Sequence, residues 1–183
     1  PKEDKSDLTL VVNAPNGEVV NNGNFKEIVI KAIASNTFIE KATGNNIIFQ
    51  AATGRVAIDE GASANIEINK GESEAPKLDL VNNGTVSELT LSTKADVSGK
   101  NTAAAIPVTS TASAGGSTIS TSQNLNLKAE SKVELTLNAG AENTTATVSD
   151  AANIPDVKGL GKVPVKDSDS GKILDTVVAE KDE

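Results

Sequence analysis

The sequence predicts an all-β fold, a single-stranded parallel β-helix (β-solenoid) of about seven coils, on three observations. A short Gly-to-aliphatic frame recurs along the chain, the recurrences are spaced by a near-constant number of residues, and the composition suits thin layered cores. Asn22–Ile30 (Asn-Gly-Asn-Phe-Lys-Glu-Ile-Val-Ile) aligns with Asn83–Leu91 (Asn-Gly-Thr-Val-Ser-Glu-Leu-Thr-Leu), and Glu60–Ile68 keeps the same frame. In each, a Gly is followed five and seven positions later by Ile or Leu. Gly offers the positive φ of a tight corner, and two aliphatics spaced by two occupy one face of a strand.

Gly23 and Gly61 are 38 residues apart, or two coils of 19, with the intermediate coil at Gly44-Asn45-Asn46-Ile47-Ile48-Phe49. Gly61 to Gly84 is 23, and the excess points to an insertion around Gly71-Glu72-Ser73-Glu74-Ala75-Pro76. Leu8–Val12 opens the series of strands. A second short strand follows the first by about ten residues in each coil, at Val19-Val20, Phe38-Ile39, Val56–Ile58 and Leu78–Leu80. Leu125–Leu127, Val133–Leu137 and Ala146–Val148 close the series. The alternative is an antiparallel β-sandwich, which also has short strands at regular intervals but does not require one frame to recur. No segment carries a 3.6-residue apolar stripe, and Asn, Thr and Gly are dense throughout, so helices are not expected.

The solenoid is expected over residues 1–152. Lys100–Gln123 is rich in Thr, Ser, Ala and Gly; it reads as a Thr/Ser-rich excursion at about 100–124, or as one degenerate coil flanked by loops. Residues 153–183 read as a cap followed by a flexible acidic C-terminal tail, since an open solenoid end templates strand addition unless covered. The corner asparagines (Asn21, Asn22, Asn24, Asn45, Asn46, Asn65, Asn82, Asn83) admit two readings: amide ladders between stacked coils, or residues tolerant of left-handed turns.

The chain has no Cys, Met, Trp, Tyr or His, three Phe and a single arginine, Arg55. Its core must therefore come from Ile, Val, Leu and Ala, and the β-branched members favour strands. The net charge of −8 argues against nucleic acid, which needs clustered Lys and Arg. No run of about 20 apolar residues is present, so membrane insertion as a helix is not expected. The opening Pro1-Lys2-Glu3-Asp4-Lys5, without an initiator Met, suggests a processed or excised piece of something longer.

Lack of His removes Ser–His–Asp and Cys–His arrangements and imidazole metal sites. Phosphate-binding Gly loops are absent as well; Gly159-Leu160-Gly161 lacks the third Gly. Polysaccharide-cleaving β-helices need clustered carboxylates, and here the acids are spread, so the chain is not expected to be an enzyme and no catalytic residue is assigned. The best metal candidates are Asp167 and Asp169 in Asp167-Ser168-Asp169-Ser170-Gly171, because alternating oxygen ligands before a Gly begin many Ca²⁺ loops. Val178 stands where an EF-hand would carry Glu. No resident cofactor is expected, with Ca²⁺ the one candidate.

Asn82–Leu91 and Asn24–Ile30 resemble the β-helical repeat modules of Gram-positive bacterial cell-surface (S-layer-type) proteins. The resemblance covers about residues 7–150 and is one of texture. It implies an extracellular, non-catalytic structural or interaction module at the bacterial cell surface: a stalk, an S-layer or filament component, or an adhesin. Implied partners are other surface subunits or copies of the same chain, and no site residue is carried over. Cell-wall anchoring would reside elsewhere in the parent protein, because the three-helix S-layer homology domain is not in this chain. The competing expectation is a carbohydrate-binding β-helix module, Ca-dependent or not, that meets cell-wall or environmental polysaccharide.

Overall fold

A computed structural model describes residues 7–34, 37–72, 75–100 and 104–180. The chain coils through paired strands. β1 (Thr9–Ala14) and β2 (Val19–Asn21) form the first coil, β3 (Glu27–Ile33) and β4 (Thr37–Glu40) the second, β5 (Thr43–Phe49) and β6 (Thr53–Ile58) the third. β7 (Ser63–Ile68) with β8 (Lys77–Asn82), β9 (Thr85–Leu91) with β10 (Asp96–Lys100), and β11 (Ile106–Ser110) with β12 (Thr118–Thr121) continue it. Next come β13 (Leu125–Ala129) with β14 (Glu134–Leu137), β15 (Thr145–Val148) with β16 (Asp156–Gly159), then β17 (Lys162–Asp167) and β18 (Ile173–Val178). Odd-numbered strands make one sheet and even-numbered strands the other; β18 joins the odd sheet beside β17. Every pairing is parallel except β17–β18. The fold is thus a parallel β-solenoid with two strands per coil. It has about eight turns rather than about seven, roughly 40 Å long at a 4.8 Å rise per coil.

Register explains why the repeat was visible. One inward column of the odd sheet runs Leu10, Ile28, Ile47, Ile66, Leu89, Val108, Leu127, Ala146, Val165. Its members are 19 residues apart at most steps and 23 between Ile66 and Leu89. The extra residues enter between β7 and β8, where Gly71–Pro76 lies; Ser73 and Glu74 of that segment are outside the described residues. In the even sheet, Leu78, Val97, Ile119, Leu135 and Val157 form an equivalent column. Ile28, Ile47, Ile66, Leu89 and their neighbours are almost wholly buried, together with Phe38 and Phe49. Stacking identical layers removes each aliphatic from water at about 25 cal/mol per Å², and that burial drives the coil to close.

The Thr/Ser-rich segment forms a further coil of the ladder, with a short 3-10 turn (Ala112–Ala114) between its two strands. β11 sits between β9 and β13, and β12 between β10 and β14; only residues 101–103 of the segment lie outside the description. Buried hydroxyls take over corner duties here. Ser117 Oγ donates to the Ala114 carbonyl at 2.6 Å and accepts from Ala95 N at 3.0 Å. At the opposite corner, between β14 and β15, Thr144 Oγ1 donates to the Ala141 carbonyl and accepts from Leu125 N. Nor is the stretch after Ala152 a tail up to Glu180: β16 and β17 extend the ladder, and β18 folds back antiparallel on β17. Residues 179–180 then cross to the even sheet, where Glu180 N bonds to Val157 O at 3.1 Å and Gly159 N to Glu180 O at 3.2 Å. The last residues of the expected tail, 181–183, fall outside the described part.

The glycines that open the frame do not share a cause. Gly61 has φ of +79°, as the corner reading expects, but Gly23 does not take positive φ; Gly44, outside the frame, has φ of +80° at a register shift inside β5. Gly84 does not take positive φ; a Cβ there would lie 2.3 Å from the Asp59 carbonyl oxygen and 2.5 Å from that of Ala62. Gly84→Ala must therefore push two backbone carbonyls aside, whereas Gly61→Ala meets nothing within 4 Å and bears only the left-handed strain. Gly84→Ala is expected to cost about 2–3 kcal/mol and Gly61→Ala about 1 kcal/mol, measured by urea denaturation. The left-handed reading of the corner asparagines is overturned for the described residues, because no non-glycine residue among them has positive φ.

Candidate functional site

Along the outer face of the odd sheet, polar side chains bond from coil to coil. Asn65 Nδ2 donates to Asn46 Oδ1 at 3.0 Å, one rung of the amide ladder expected from the sequence. Ser92 Oγ donates to Glu67 Oε1 at 2.8 Å, and Thr109 Oγ1 to Glu88 Oε1 at 3.1 Å. Because the strands are parallel and in register, residues one coil apart stand side by side, and a carboxylate finds its donor on the next coil. Between these rungs lies a shallow groove of about 380 Å³, lined by Glu27, Asn46, Asn65, Glu67, Glu88 and Thr90. It offers amides, carboxylates and a hydroxyl over an aliphatic floor that includes Ile48. That surface can hydrogen-bond a polar chain lying across the coils, but it has no aromatic plate to stack on.

A second polar cluster is internal, and sequence reading did not find it. Glu40 ends β4 at a corner and is wholly buried. Its Oε1 accepts from Asn21 Nδ2 at 2.9 Å and from Ala42 N at 2.8 Å. Its Oε2 accepts from Asn21 Nδ2 and Asn45 Nδ2, both at 3.1 Å. Both amides also donate to the Gly23 carbonyl, so one acidic residue joins three successive coils at a corner. Burial raises the Glu40 pKa above its ordinary value, opposed by the hydrogen bonds from Ala42, Asn21 and Asn45. Any signal in the sequence lay in its surroundings: Glu40 stands two residues after Phe38, on the inward side of a period-two strand.

The metal candidates occupy the turn between β17 and β18. Asp167 Oδ1 accepts from Ser170 N at 2.7 Å and Asp169 N at 3.1 Å, while Gly171 N donates to the Asp167 carbonyl at 2.8 Å. Gly171 completes the reversal with φ of +68°. The Ser170 backbone bond is the largest cause of a lowered Asp167 pKa, followed by the Ser170 side chain. Alternating Asp and Ser before Gly is thus accounted for by a hairpin turn. Among the described residues, no group of three or more His, Cys, Asp or Glu is placed to hold a metal ion, so the calcium reading rests on these two carboxylates.

Sequence reading also missed how apolar surface is distributed. Seven large aliphatics are exposed among the described residues: Leu8, Val11, Val20, Leu160, Ile173, Leu174 and Val178. The first three belong to the opening coil and the other four to the closing one, so the large exposed aliphatics are confined to the two end coils. β18 and residues 179–180 lie over the last strands of both sheets, and no described strand pairs with the outer edges of β1, β2 or β18. Among the described residues, no helix is long and apolar enough to cross a membrane. No known family model matches the chain, and neither the curated proteins nor the solved structures contain a significant match.

Proposed function

We propose that this chain is a non-catalytic structural or interaction module of a bacterial surface protein, located outside the cell and joined to its neighbours through its ends. The observation that carries the reading is the segregation just described: the exposed aliphatics lie in the first and last coils, and polar side chains bonded coil to coil cover much of the flanks between. Such a rod is solvated along its length and adhesive at its tips, which suits a stalk, lattice or filament element. Other surface subunits and further copies of the chain are the partners this chemistry fits.

The groove over Asn46, Asn65 and Glu67 favours a second reading, a carbohydrate-binding module. One glycan array, run with Ca²⁺ and with chelator, separates the two. The structural reading expects no retained glycan under either condition. Binding lost in Asn65→Ala would establish the carbohydrate reading instead, and binding abolished by chelation would add the calcium dependence.

A further inference from the structure

We infer that Asn16 is a site of self-modification: the backbone nitrogen of Gly17 displaces its side-chain amide, so that aspartate and isoaspartate accumulate at the corner between β1 and β2. The inference goes beyond the proposed function and does not depend on it.

The chain contains three Asn-Gly pairs, Asn16-Gly17, Asn22-Gly23 and Asn83-Gly84. Glycine is the following residue that least hinders such an attack, because no Cβ shields its nitrogen and its backbone turns freely. In the reaction the Gly nitrogen gives its proton to water and bonds to Asn Cγ. The Cγ–Nδ2 bond breaks and the amide nitrogen leaves as ammonia, closing a cyclic imide. Water then opens the imide at either carbonyl, giving aspartate or isoaspartate. Water is the only co-reactant. The Gly N–H must first be free to swing onto the side chain, so the hold on that nitrogen decides the fate of each pair.

Two of the pairs are pinned. Gly23 N donates to Asn21 Oδ1 at 3.0 Å, and Gly23 O accepts from Asn21 Nδ2 at 2.9 Å and Asn45 Nδ2 at 3.0 Å. Both amides also hold the buried Glu40 carboxylate, so moving this peptide disturbs the internal cluster. Gly84 sits where a Cβ would lie 2.3 Å and 2.5 Å from the carbonyl oxygens of Asp59 and Ala62. The residues on either side of it are tied to the preceding coil, Asn83 N to Ile58 O at 2.8 Å and Thr85 N to Ala62 O at 3.0 Å. A peptide held in this way swings only when β8 or β9 opens.

Asn16-Gly17 is held by a single turn bond. It lies between β1 and β2, with Asn16 exposed and Gly17 only partly buried. Gly17 N donates to the Ala14 carbonyl at 3.2 Å. Losing that bond strands no acceptor, because the same carbonyl also accepts from Ala34 N at 3.0 Å. Among the described residues, none bonds to the Asn16 side chain, which is therefore free to meet the nitrogen. Either product adds a carboxylate two residues before Glu18. Isoaspartate also lengthens the main chain by one carbon, just ahead of the strand that supplies Asn21 to Glu40.

Peptide mass spectrometry of the full chain aged at neutral pH, folded and in concentrated guanidinium chloride, tests this, with fragmentation that separates isoaspartate from aspartate. In denaturant the three pairs are expected to react at similar rates, since nothing then holds any of them. In the folded chain Asn16 is expected to react within about tenfold of its denatured rate, with Asn22 and Asn83 about tenfold or more behind it. Gly17→Ala should fold as the wild type does, because its φ is not left-handed and the nearest neighbour of the new Cβ is Ala14 Cβ at 3.9 Å. It is expected to slow the reaction at Asn16 by about tenfold. An Asn16 that stays intact in the folded chain overturns the inference. So does an Asn22 or Asn83 that keeps pace with it there, an Asn16 product that is aspartate alone, or a Gly17→Ala chain that ages like wild type.

Discussion

Glu40→Ala is expected to destabilise the solenoid by roughly 2–4 kcal/mol, more than any substitution on its flanks. Removing the carboxylate deletes four hydrogen bonds at once. Asn21 and Asn45 each keep the Gly23 carbonyl as a partner, but the buried Ala42 N–H loses its side-chain acceptor. A small void also opens at the corner. Glu40→Gln is the sharper probe, because every partner is a donor and the Gln amide can accept on one atom only. Its –NH₂ would face an Asn –NH₂ across the corner, at a cost of about 1–3 kcal/mol.

The pH dependence has a definite sign. The folded pKa of Glu40 lies above the ordinary 4.5, so between those values the folded chain holds a proton that the unfolded chain has released. Stability from this group is complete below about pH 4.5 and is lost as pH rises through the folded pKa. Wild type should therefore exceed Glu40→Gln by more near pH 4.5 than near pH 7, read from urea midpoints, since Gln does not titrate. The opposite slope would mean that the donors hold the carboxylate more firmly than burial destabilises it.

Much of the architecture was legible because two signals coincide in its first half. Between Leu8 and Leu91 the inward column is aliphatic, and three of its coils carry a glycine five residues before it, at Gly23, Gly61 and Gly84. After Leu91 the column keeps its 19-residue step through Val108, Leu127, Ala146 and Val165, but the corner marker changes. Ser117 and Thr144 close their corners with buried hydroxyls, and to a sequence reader a serine or threonine there looks like any loop residue. The closing hairpin escaped for a related reason. Asp167 to Gly171 has the composition of both a calcium loop and a tight turn, and only the Ser170 and Asp169 amides bonded to Asp167 distinguish them. Glycine was recognised at the right places, but at Gly84 the requirement is close approach of the Asp59 and Ala62 carbonyls, a contact between residues more than twenty positions apart. The candidate surfaces were the least legible, since exposure of Val11 and Val20 depends on which strands end a sheet. Nothing local in Leu-Val-Val or Val-Val-Asn marks an edge.

Phe49→Ala is expected to cost about 3–5 kcal/mol, and the way that loss spreads tests the layered construction of the core. Phe49 is fully buried at the end of β5, between Ile30 on one coil and Ile68 on the next. Gly54 lies beside it in the facing sheet: a Cβ there would stand 3.4 Å from Phe49 Cε2, an ordinary contact, but 2.3 Å from Ile33 Cγ2. The close approach that requires glycine at this position is thus to Ile33 at the end of β3 and not to the ring. In a solenoid each coil contacts chiefly its two neighbours, so hydrogen exchange should accelerate most in β3, β5 and β7 and least in β13 and β15. Gly54→Ala alone should cost about 1–3 kcal/mol, because the Ile33 side chain must shift out of the way of the new Cβ. Once the ring is gone, Ile33 gains room to move, and the same substitution should cost at least 1 kcal/mol less in the Phe49→Ala background. Strict additivity would mean that the shift Ile33 must make for a Cβ at position 54 is independent of the space the Phe49 ring fills.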